Sequence, residues 1–168
     1  MSKQAIKDNT KVRGFFRVHI EEDGKIVGDS GWHENQITNL GFNNFIVSSL
    51  GAIAGSSQVT YAALGTGGAP VATATSLSGE VSTNGSGSVV RAAVTAATSS
   101  NSKALVNTAT FSSAASFISA AANISNIGLF GVSGPTTASG TLFAGNTYTS
   151  SALATNQNVN ITYTINFS

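Results

Sequence analysis

The chain has 168 residues and a formal net charge of +1, and it contains no cysteine, which excludes disulfide bonds and thiolate-ligated metal centres. Only 9% of the residues are charged, against about 25% in an average soluble domain. A surface of Ser, Thr, Asn and Gly in place of charge is typical of a protein packed in a fixed assembly or of a secreted adhesive protein. The apolar fraction of 41% argues against intrinsic disorder.

Basic residues dominate the amino terminus, where we predict an extended arm over residues 1–10. Residues 18–34 carry one basic residue against five acids, a net charge of −4. Residues 1–17 carry five basic residues against one acid, a net charge of +4, and the basic residues are Lys3, Lys7, Lys11, Arg13 and Arg17. Such a segment could bind an acidic protein surface or nucleic acid, although a solvated tail carries the same pattern.

No apolar stretch typical of a signal peptide or a membrane-spanning helix is evident in the sequence. We therefore expect synthesis in a cytoplasm and no membrane partner. Outside the amino-terminal region only Arg91 and Lys103 could meet phosphates, which disfavours direct nucleic-acid binding by the body of the chain.

The first structured segment reads as a β-hairpin. Residues 11–20 alternate with the period of a strand, and one face carries Val12, Phe16, Val18 and Ile20. The pair Asp23-Gly24 is a strong signal for a tight hairpin turn. The return strand is predicted to continue to Ile37, with interruptions at Gly28 and Gly31.

Residues 39–50 are predicted to form the one short helix. Thr38 or Asn39 would cap its start, and Gly51 would end it. Four apolar residues recur at helical spacing, namely Phe42, Phe45, Ile46 and Leu50.

The remainder of the chain predicts a mainly β fold. Gly- and Ser-rich turns separate predicted strands at 58–65, 89–98, 103–111, 123–132, 141–149 and 158–168. This spacing favours one antiparallel β-sandwich or jelly roll over residues 11–168. In the last strand we expect a core-facing set of Val159, Ile161, Tyr163, Ile165 and Phe167, and an outward-facing set of Asn160, Thr162, Thr164 and Asn166.

The sequence offers few catalytic arrangements, and we predict no catalytic residues, no enzyme activity and no cofactor. Glycoside hydrolysis needs two carboxylates across a cleft, for which only Glu80 with Glu34 or Asp29 could be proposed. A structural ion pair between Glu80 and Arg91 is the better interpretation, because a partner offsets the cost of burying a charge.

The two histidines, His19 and His33, could hold a metal ion with Glu21 or Glu34. We favour hydrogen-bonding roles for both, since so few ligands are present, and predict no metal site. The segment "ALGTGGAP" (63–70) resembles a phosphate-binding loop but lacks the Gly-Lys-Ser/Thr ending, so it predicts a turn.

Trp32 and His33 could form an interface or a platform on which a sugar ring stacks, with Tyr61 and Tyr148 as further aromatic candidates. The alternative for Trp32 is burial in the core, because tryptophan is highly buried on average.

The segment "GWHENQITNLGFNNFIVSSL" (31–50) contains the pattern Trp-x-x-Asn-x-Ile-Thr-Asn-x-Gly. It is followed by "LGTGGAP" (64–70), by "IGLFG" (127–131) and by the alternating last strand. This succession resembles small β proteins encoded in the structural gene clusters of tailed bacteriophages, over about residues 30–168. The basic amino-terminal arm lies outside the resemblance, and the body carries fewer charges than expected for that group.

The resemblance implies a non-enzymatic structural protein of the virion. The role we expect is that of a capsid decoration, or cement, protein on the capsid surface, bound to the major capsid protein or to other virion proteins. A homo-oligomer is expected, with a trimer favoured, and capsid docking is assigned to Lys3, Lys7, Lys11, Arg13 and Arg17. The alternative is a carbohydrate-binding or receptor-binding module of a head or tail fibre, and a depolymerase is a remote third.

Overall fold

The computed structural model describes residues 11–51, 53–54, 56–81, 91–98, 102–134 and 142–168. The predicted arm over residues 1–10, with Lys3 and Lys7, lies outside these residues. The predicted fold class is confirmed: the chain is mainly β, with two antiparallel sheets and one short helix, consistent with a β-sandwich.

The first sheet, sheet A, is built on the central strands β1 and β11. It runs in the order β2-β1-β11-β8-β7, and β3 also pairs with β1. Its strands are β1 (Val12–Glu22), β2 (Lys25–Asp29), β3 (His33–Glu34), β7 (Thr95–Ala97), β8 (Ala104–Phe111) and β11 (Asn158–Phe167).

The second sheet, sheet B, runs in the order β4-β10-β9-β5-β6. Its strands are β4 (Gln36–Ile37), β5 (Tyr61–Gly65), β6 (Ala92–Ala93), β9 (Ala122–Phe130) and β10 (Leu142–Leu153). The predicted strand at 89–98 is therefore two short strands, because the chain leaves sheet B after Ala93 and joins sheet A at Thr95.

The main core lies between the two sheets. Inward-facing aromatic and aliphatic side chains from both sheets form it, among them Phe16, Ile127, Leu129, Phe143 and Tyr163. A smaller cluster covers the other face of sheet B, where Leu77 packs with Ala63, Phe130 and Leu142. Strand β5 and residues 127–130 of β9 are therefore buried on both faces, in keeping with their short runs of apolar residues and glycine.

The last strand of the chain, β11, is a central strand with neighbours on both sides. It pairs with β1 from Val12–Phe167 to Glu21–Asn158 and with β8 on its other edge. Val159, Ile161, Tyr163 and Ile165 are buried as predicted from the alternation. The prediction for Phe167 is wrong, because this residue lies at the end of the sandwich and is 37% exposed.

The first hairpin follows the sequence prediction closely. Asp23 and Gly24 both have positive φ angles, 49° and 74°, as a two-residue hairpin turn that matches the twist of its strands requires. The predicted return strand is interrupted, since β2 ends at Asp29 and the chain then forms only the short strands β3 and β4.

The predicted helix is present over residues 39–50, and we call it α1. Its middle, Gly41–Val47, is π-helical, and Ser48–Leu50 is α-helical. Thr38 caps its start, because the Thr38 hydroxyl accepts a hydrogen bond from the Gly41 N–H at 2.9 Å. The π-helical turns were not predicted, because the apolar spacing resembles that of an α-helix.

Candidate functional site

Residues 32–41 form a crossing segment that joins the two sheets. β3 pairs with β1 in sheet A, and only two residues after its end β4 pairs with β10 in sheet B. Asn35, between these strands, donates a hydrogen bond to the hydroxyl of the buried Tyr163. The asparagine of the Trp-x-x-Asn pattern thus has a structural role in this chain.

The second half of the crossing segment fixes helix α1 on sheet B. The Thr38 hydroxyl donates to the carbonyl oxygen of Leu142 at 2.5 Å, and the Thr38 N–H donates to that of Phe143 at 3.0 Å. Gly41 packs so closely on the Phe143 carbonyl that a Cβ atom would overlap with it. Sequence reasoning identified the pattern without these roles, because each partner is far away in the chain.

The ion pair predicted between Glu80 and Arg91 is present and buried. Arg91 donates through Nε and Nη2 to the two Glu80 carboxylate oxygens, at 2.7 and 3.0 Å. Its Nη1 donates to the Val132 carbonyl, and its guanidinium lies 3.6 Å from the ring centroid of Phe130. Both carboxylate oxygens of Glu80 are therefore engaged with Arg91.

The basic residues predicted for capsid docking differ in their surroundings. Arg17 is bound to Asp29 through two hydrogen bonds, of 2.9 and 2.5 Å, and this pair together with the Gly31 N–H holds the pKa of Asp29 well below its usual range. Lys11 and Arg13 are exposed. Of the described docking candidates, Lys11 and Arg13 thus present charge outward, whereas the charge of Arg17 is paired within the hairpin.

The aromatic candidates for a sugar platform are not brought together. Trp32 is 54% exposed, so its indole is available to a partner. The ring of His33 stacks on Phe16, and its Nε2 lies 2.8 Å from the Ser30 carbonyl oxygen. Tyr148 is buried in the core, and its assignment to a sugar platform is wrong.

Neither a metal site nor a phosphate loop is formed by the residues singled out in the sequence. Within the part of the chain that the structure describes, no three His, Cys, Asp or Glu side chains are grouped to hold a metal ion. In the "ALGTGGAP" segment the N–H groups of Thr66 and Gly67 donate to the carbonyl oxygens of Gly79 and Ser78. These donors are used within the fold.

One end of the sandwich carries exposed apolar side chains, and we call this surface the apolar end: Val47, Leu50, Ile53 and Phe167. Leu50 is 85% exposed in the last turn of helix α1. Lys11 belongs to the same end, because its backbone pairs with Ser168 next to Phe167. The sequence contains no charged residue from Asn35 to Gly79, so helix α1 and the segment that follows it carry no charge.

The opposite end carries the acids of the first hairpin. Glu22 accepts hydrogen bonds from the side-chain amides of Gln157 and Asn156, at 2.9 and 2.8 Å, which lower the pKa of Glu22. The nine residue steps of β1 from Val12 to Glu21 separate the two ends by roughly 30 Å at about 3.3 Å per step. The molecule therefore has an apolar end and an acidic end.

Sequence reasoning also missed Asn107, which is fully buried on β8. The signal was present, because Asn107 falls on the inward-facing phase between Leu105 and Ala109. A polar residue at such a position is informative, since buried polar groups usually have a structural or binding role.

No helix within the described ranges is long and apolar enough to cross a membrane. Comparison of the chain with protein-family models, with curated proteins and with solved structures found no match.

Proposed function

We propose that the protein is a non-enzymatic structural protein of a tailed-bacteriophage virion, with the role of a capsid decoration (cement) protein. It would act as a homo-oligomer, with a trimer favoured, on the capsid surface. Its partners would be the major capsid protein or other virion proteins, and its mechanism would be the burial of surface between subunits. The resemblance of residues 31–50 to phage structural proteins supports this assignment.

The observation that carries the proposal is the apolar end. A free soluble domain normally exposes large apolar side chains singly, whereas a contiguous exposed group marks an interaction surface. Leu50 and Phe167 line one cavity, and Val47 lies about one helical turn before Leu50. Ile53 follows the helix, and its N–H donates to the Ser48 carbonyl oxygen at 3.0 Å. Burial of this uncharged surface against another subunit would stabilise an assembly without any reaction.

Charge complements the apolar end. Lys11 and Arg13 lie at the Phe167 end of β1, where Arg13 pairs with Asn166. The predicted arm over residues 1–10, which contains Lys3 and Lys7, directly precedes Lys11 in the sequence. An acidic partner surface would therefore meet positive charge around an apolar centre, an arrangement that favours both specificity and the rate of association.

The first test measures the molar mass of the full chain by light scattering. We expect a small oligomer that Leu50→Lys dissociates, because Leu50 is exposed and a lysine near a helix C-terminus is compatible with folding. Ile26→Lys is the matched control, since Ile26 is an exposed apolar residue on β2 away from the apolar end. A monomeric wild-type chain, or equal masses for both variants, would contradict self-assembly through the apolar end.

The second test measures binding of the full chain to capsids that lack it. The decoration role predicts saturation at a fixed number of copies per capsomer. Removal of residues 1–10, and separately Lys11→Glu with Arg13→Glu, should weaken this binding, while Lys25→Glu in the distant hairpin turn should not. Capsids that bind no protein at any concentration would refute the decoration role.

Exposure of Trp32 favours one alternative, a carbohydrate-binding module of a fibre. An indole that is half accessible can stack on the apolar face of a sugar ring. A glycan array with the wild type and Trp32→Ala tests it. Sugar-dependent binding that disappears in Trp32→Ala would support the fibre role, and no binding to any glycan would remove it.

A further inference from the structure

A cavity opens at the apolar end, between helix α1 and the inner face of sheet A. Its volume is about 690 Å³. Helix α1 and residues 57–59 form one wall, and β8 and β11 form the other. Small-molecule sites in proteins commonly have volumes of about 300–1,000 Å³, so the size of this cavity suits a ligand and exceeds what one side chain fills.

The lining of the cavity is mainly apolar and carries no charge, and its polar residues are Ser49, Ser57, Gln58 and Asn107. Ile46, Val59, Leu105, Phe143 and Ile165 contribute aliphatic and aromatic surface, and no charged side chain of the described residues lines it. Pockets that bind small molecules combine such a lining with a few polar groups that orient the ligand. An ionised ligand is disfavoured here, because nothing charged in the lining would offset its desolvation.

Asn107 supplies the polar group at the inner part of this cavity. The register pairs Leu105 with Ile165 and Asn107 with Tyr163, so Asn107 lies two residues deeper along β8 than Leu105. Asn107 is fully buried, and neither its Nδ2 nor its Oδ1 has a hydrogen-bond partner among the residues that the structure describes. Leaving both groups of a buried amide unpaired costs stability. A ligand that formed hydrogen bonds with Asn107 would remove this cost.

We propose that the cavity binds one uncharged, mainly apolar small molecule whose single polar group forms hydrogen bonds with the Asn107 amide. The side chain of asparagine both donates and accepts. The complementary group is therefore one that does both, namely a primary carboxamide or a hydroxyl on an aliphatic chain. Leu50 and Phe167 belong both to this cavity and to the apolar end, but the proposed ligand site does not rest on the assembly role.

Binding is tested on the full chain with the neutral fluorescent probe N-phenyl-1-naphthylamine. We expect one saturable site, from which decanamide and 1-decanol displace the probe. Decanoate at a pH where it is ionised should displace it at least about tenfold more weakly, because its charge would be buried without a partner. Absence of probe binding, or equal displacement by decanoate, would overturn the proposal.

The role of Asn107 is tested with Asn107→Leu, which has a similar volume and no polar group. The probe should bind with unchanged affinity, and decanamide should bind about tenfold more weakly, the effect of losing one or two hydrogen bonds. Circular dichroism checks that the variant is folded, as expected when a buried unpaired amide is replaced by an apolar side chain. Unchanged decanamide affinity would overturn the role of Asn107.

The location of the site is tested with two neighbouring alanines of β7. Ala96 lines the cavity and pairs with Asn107, whereas Ala97 pairs with Val106 and points to the other face of the sheet. Ala96→Phe should abolish probe binding, and Ala97→Phe should retain it. If both variants bound the probe equally well, the probe would bind elsewhere. If the probe bound only when light scattering showed a monomer, a second copy of the chain would occupy the cavity in the oligomer. Either result would overturn the proposal.

Discussion

Asn35 and Tyr163, which are 128 residues apart in the sequence, are joined by a hydrogen bond from the Asn35 amide to the Tyr163 hydroxyl. Gly14 on β1 makes room for this contact, because a Cβ atom at that position would overlap with the Asn35 side chain. The Asn35 N–H also donates to the Gly14 carbonyl oxygen at 2.9 Å. The crossing segment is thus fixed to the two central strands of sheet A before it enters sheet B.

Tyr163→Phe and Asn35→Ala are each expected to lower the free energy of unfolding by about 1–3 kcal/mol, because each leaves a buried polar group without its partner. The double variant should lose less than the sum, since both changes remove the same interaction. Denaturation in guanidinium chloride measures the three values. Asn123→Ala, at an exposed position of β9, serves as the control, and a Tyr163→Phe variant as stable as the wild type would contradict this role.

Gly41→Ala is expected to destabilise the chain by about 1–3 kcal/mol, the range for overpacking a close contact. The added Cβ atom would push against the Phe143 carbonyl oxygen, which accepts the hydrogen bond from the Thr38 N–H. Gly68→Ala is the matched control, because nothing lies within 4 Å of a Cβ atom built there, and its effect should stay within about 0.5 kcal/mol. Thermal unfolding followed by circular dichroism compares the two, and equal midpoints would refute the close packing of helix α1 on β10.

The strands could be predicted from the sequence because their patterns are local. Alternation in β1 and β11 identifies the inward faces directly, and the Asp23-Gly24 turn encodes its own positive φ angles. The alternation of apolar and polar residues does not show where the elements packed against a strand end. Phe167 was therefore assigned to the core, although it lies at the open end of the sandwich. Tyr148 was assigned to a surface because its burial depends on packing against Phe16 from the other sheet.

The candidate site was less accessible to sequence reasoning because its contacts are long-range. Thr38 could be predicted as a helix cap, but not as a donor to Leu142, 104 residues later. The ion pair of Glu80 and Arg91 could be predicted because Glu80 is the only acid after residue 34 and Arg91 is one of only two basic residues there. The cavity beside Asn107 arises from elements far apart in the chain, and only the polar residue on an apolar face indicated it.

Among the residues that the structure describes, the two arginine–carboxylate ion pairs are expected to differ in their contribution to stability. In the buried pair, the Arg91 and Glu80 side chains are 4% and 8% exposed. Arg91→Met should therefore cost about 3–5 kcal/mol, because it leaves the Glu80 carboxylate buried without a partner. Arg17→Met removes a pair whose side chains are 35% and 36% exposed, and should cost much less stability, because solvent screens an exposed pair.

Denaturation in urea at neutral pH measures both ion-pair variants. A variant with Arg91→Met and Glu80→Leu together should recover most of the stability that Arg91→Met loses, because no unpaired charge remains. If Arg91→Met and Arg17→Met were equally stable, burial would not determine the contribution of the pair between Glu80 and Arg91.

Burial of Tyr163 and Tyr148 gives the protein a predictable response to alkali. Desolvation raises the pKa of both hydroxyls above the ordinary value of about 10. A group whose pKa is higher in the folded than in the unfolded chain contributes stability that is fully present below its unfolded pKa and is lost as the pH rises toward the folded value. Ionisation of these two tyrosines should therefore leave the free energy of unfolding unchanged below about pH 10 and lower it above that pH.

The measurement uses Tyr61→Phe, which leaves Tyr148 and Tyr163 as the only tyrosines in the chain. As the pH is raised from about 9 to about 12, the tyrosinate absorbance of this variant should increase only together with the loss of the near-ultraviolet circular dichroism of the folded state. Ionisation of these two residues would then report unfolding, because neither phenolate is stable within the core. A rise in absorbance while the folded signal persists would show that water reaches the two hydroxyls in the native sandwich. The packing of Phe16 against both tyrosine rings would then not be sufficient to exclude water.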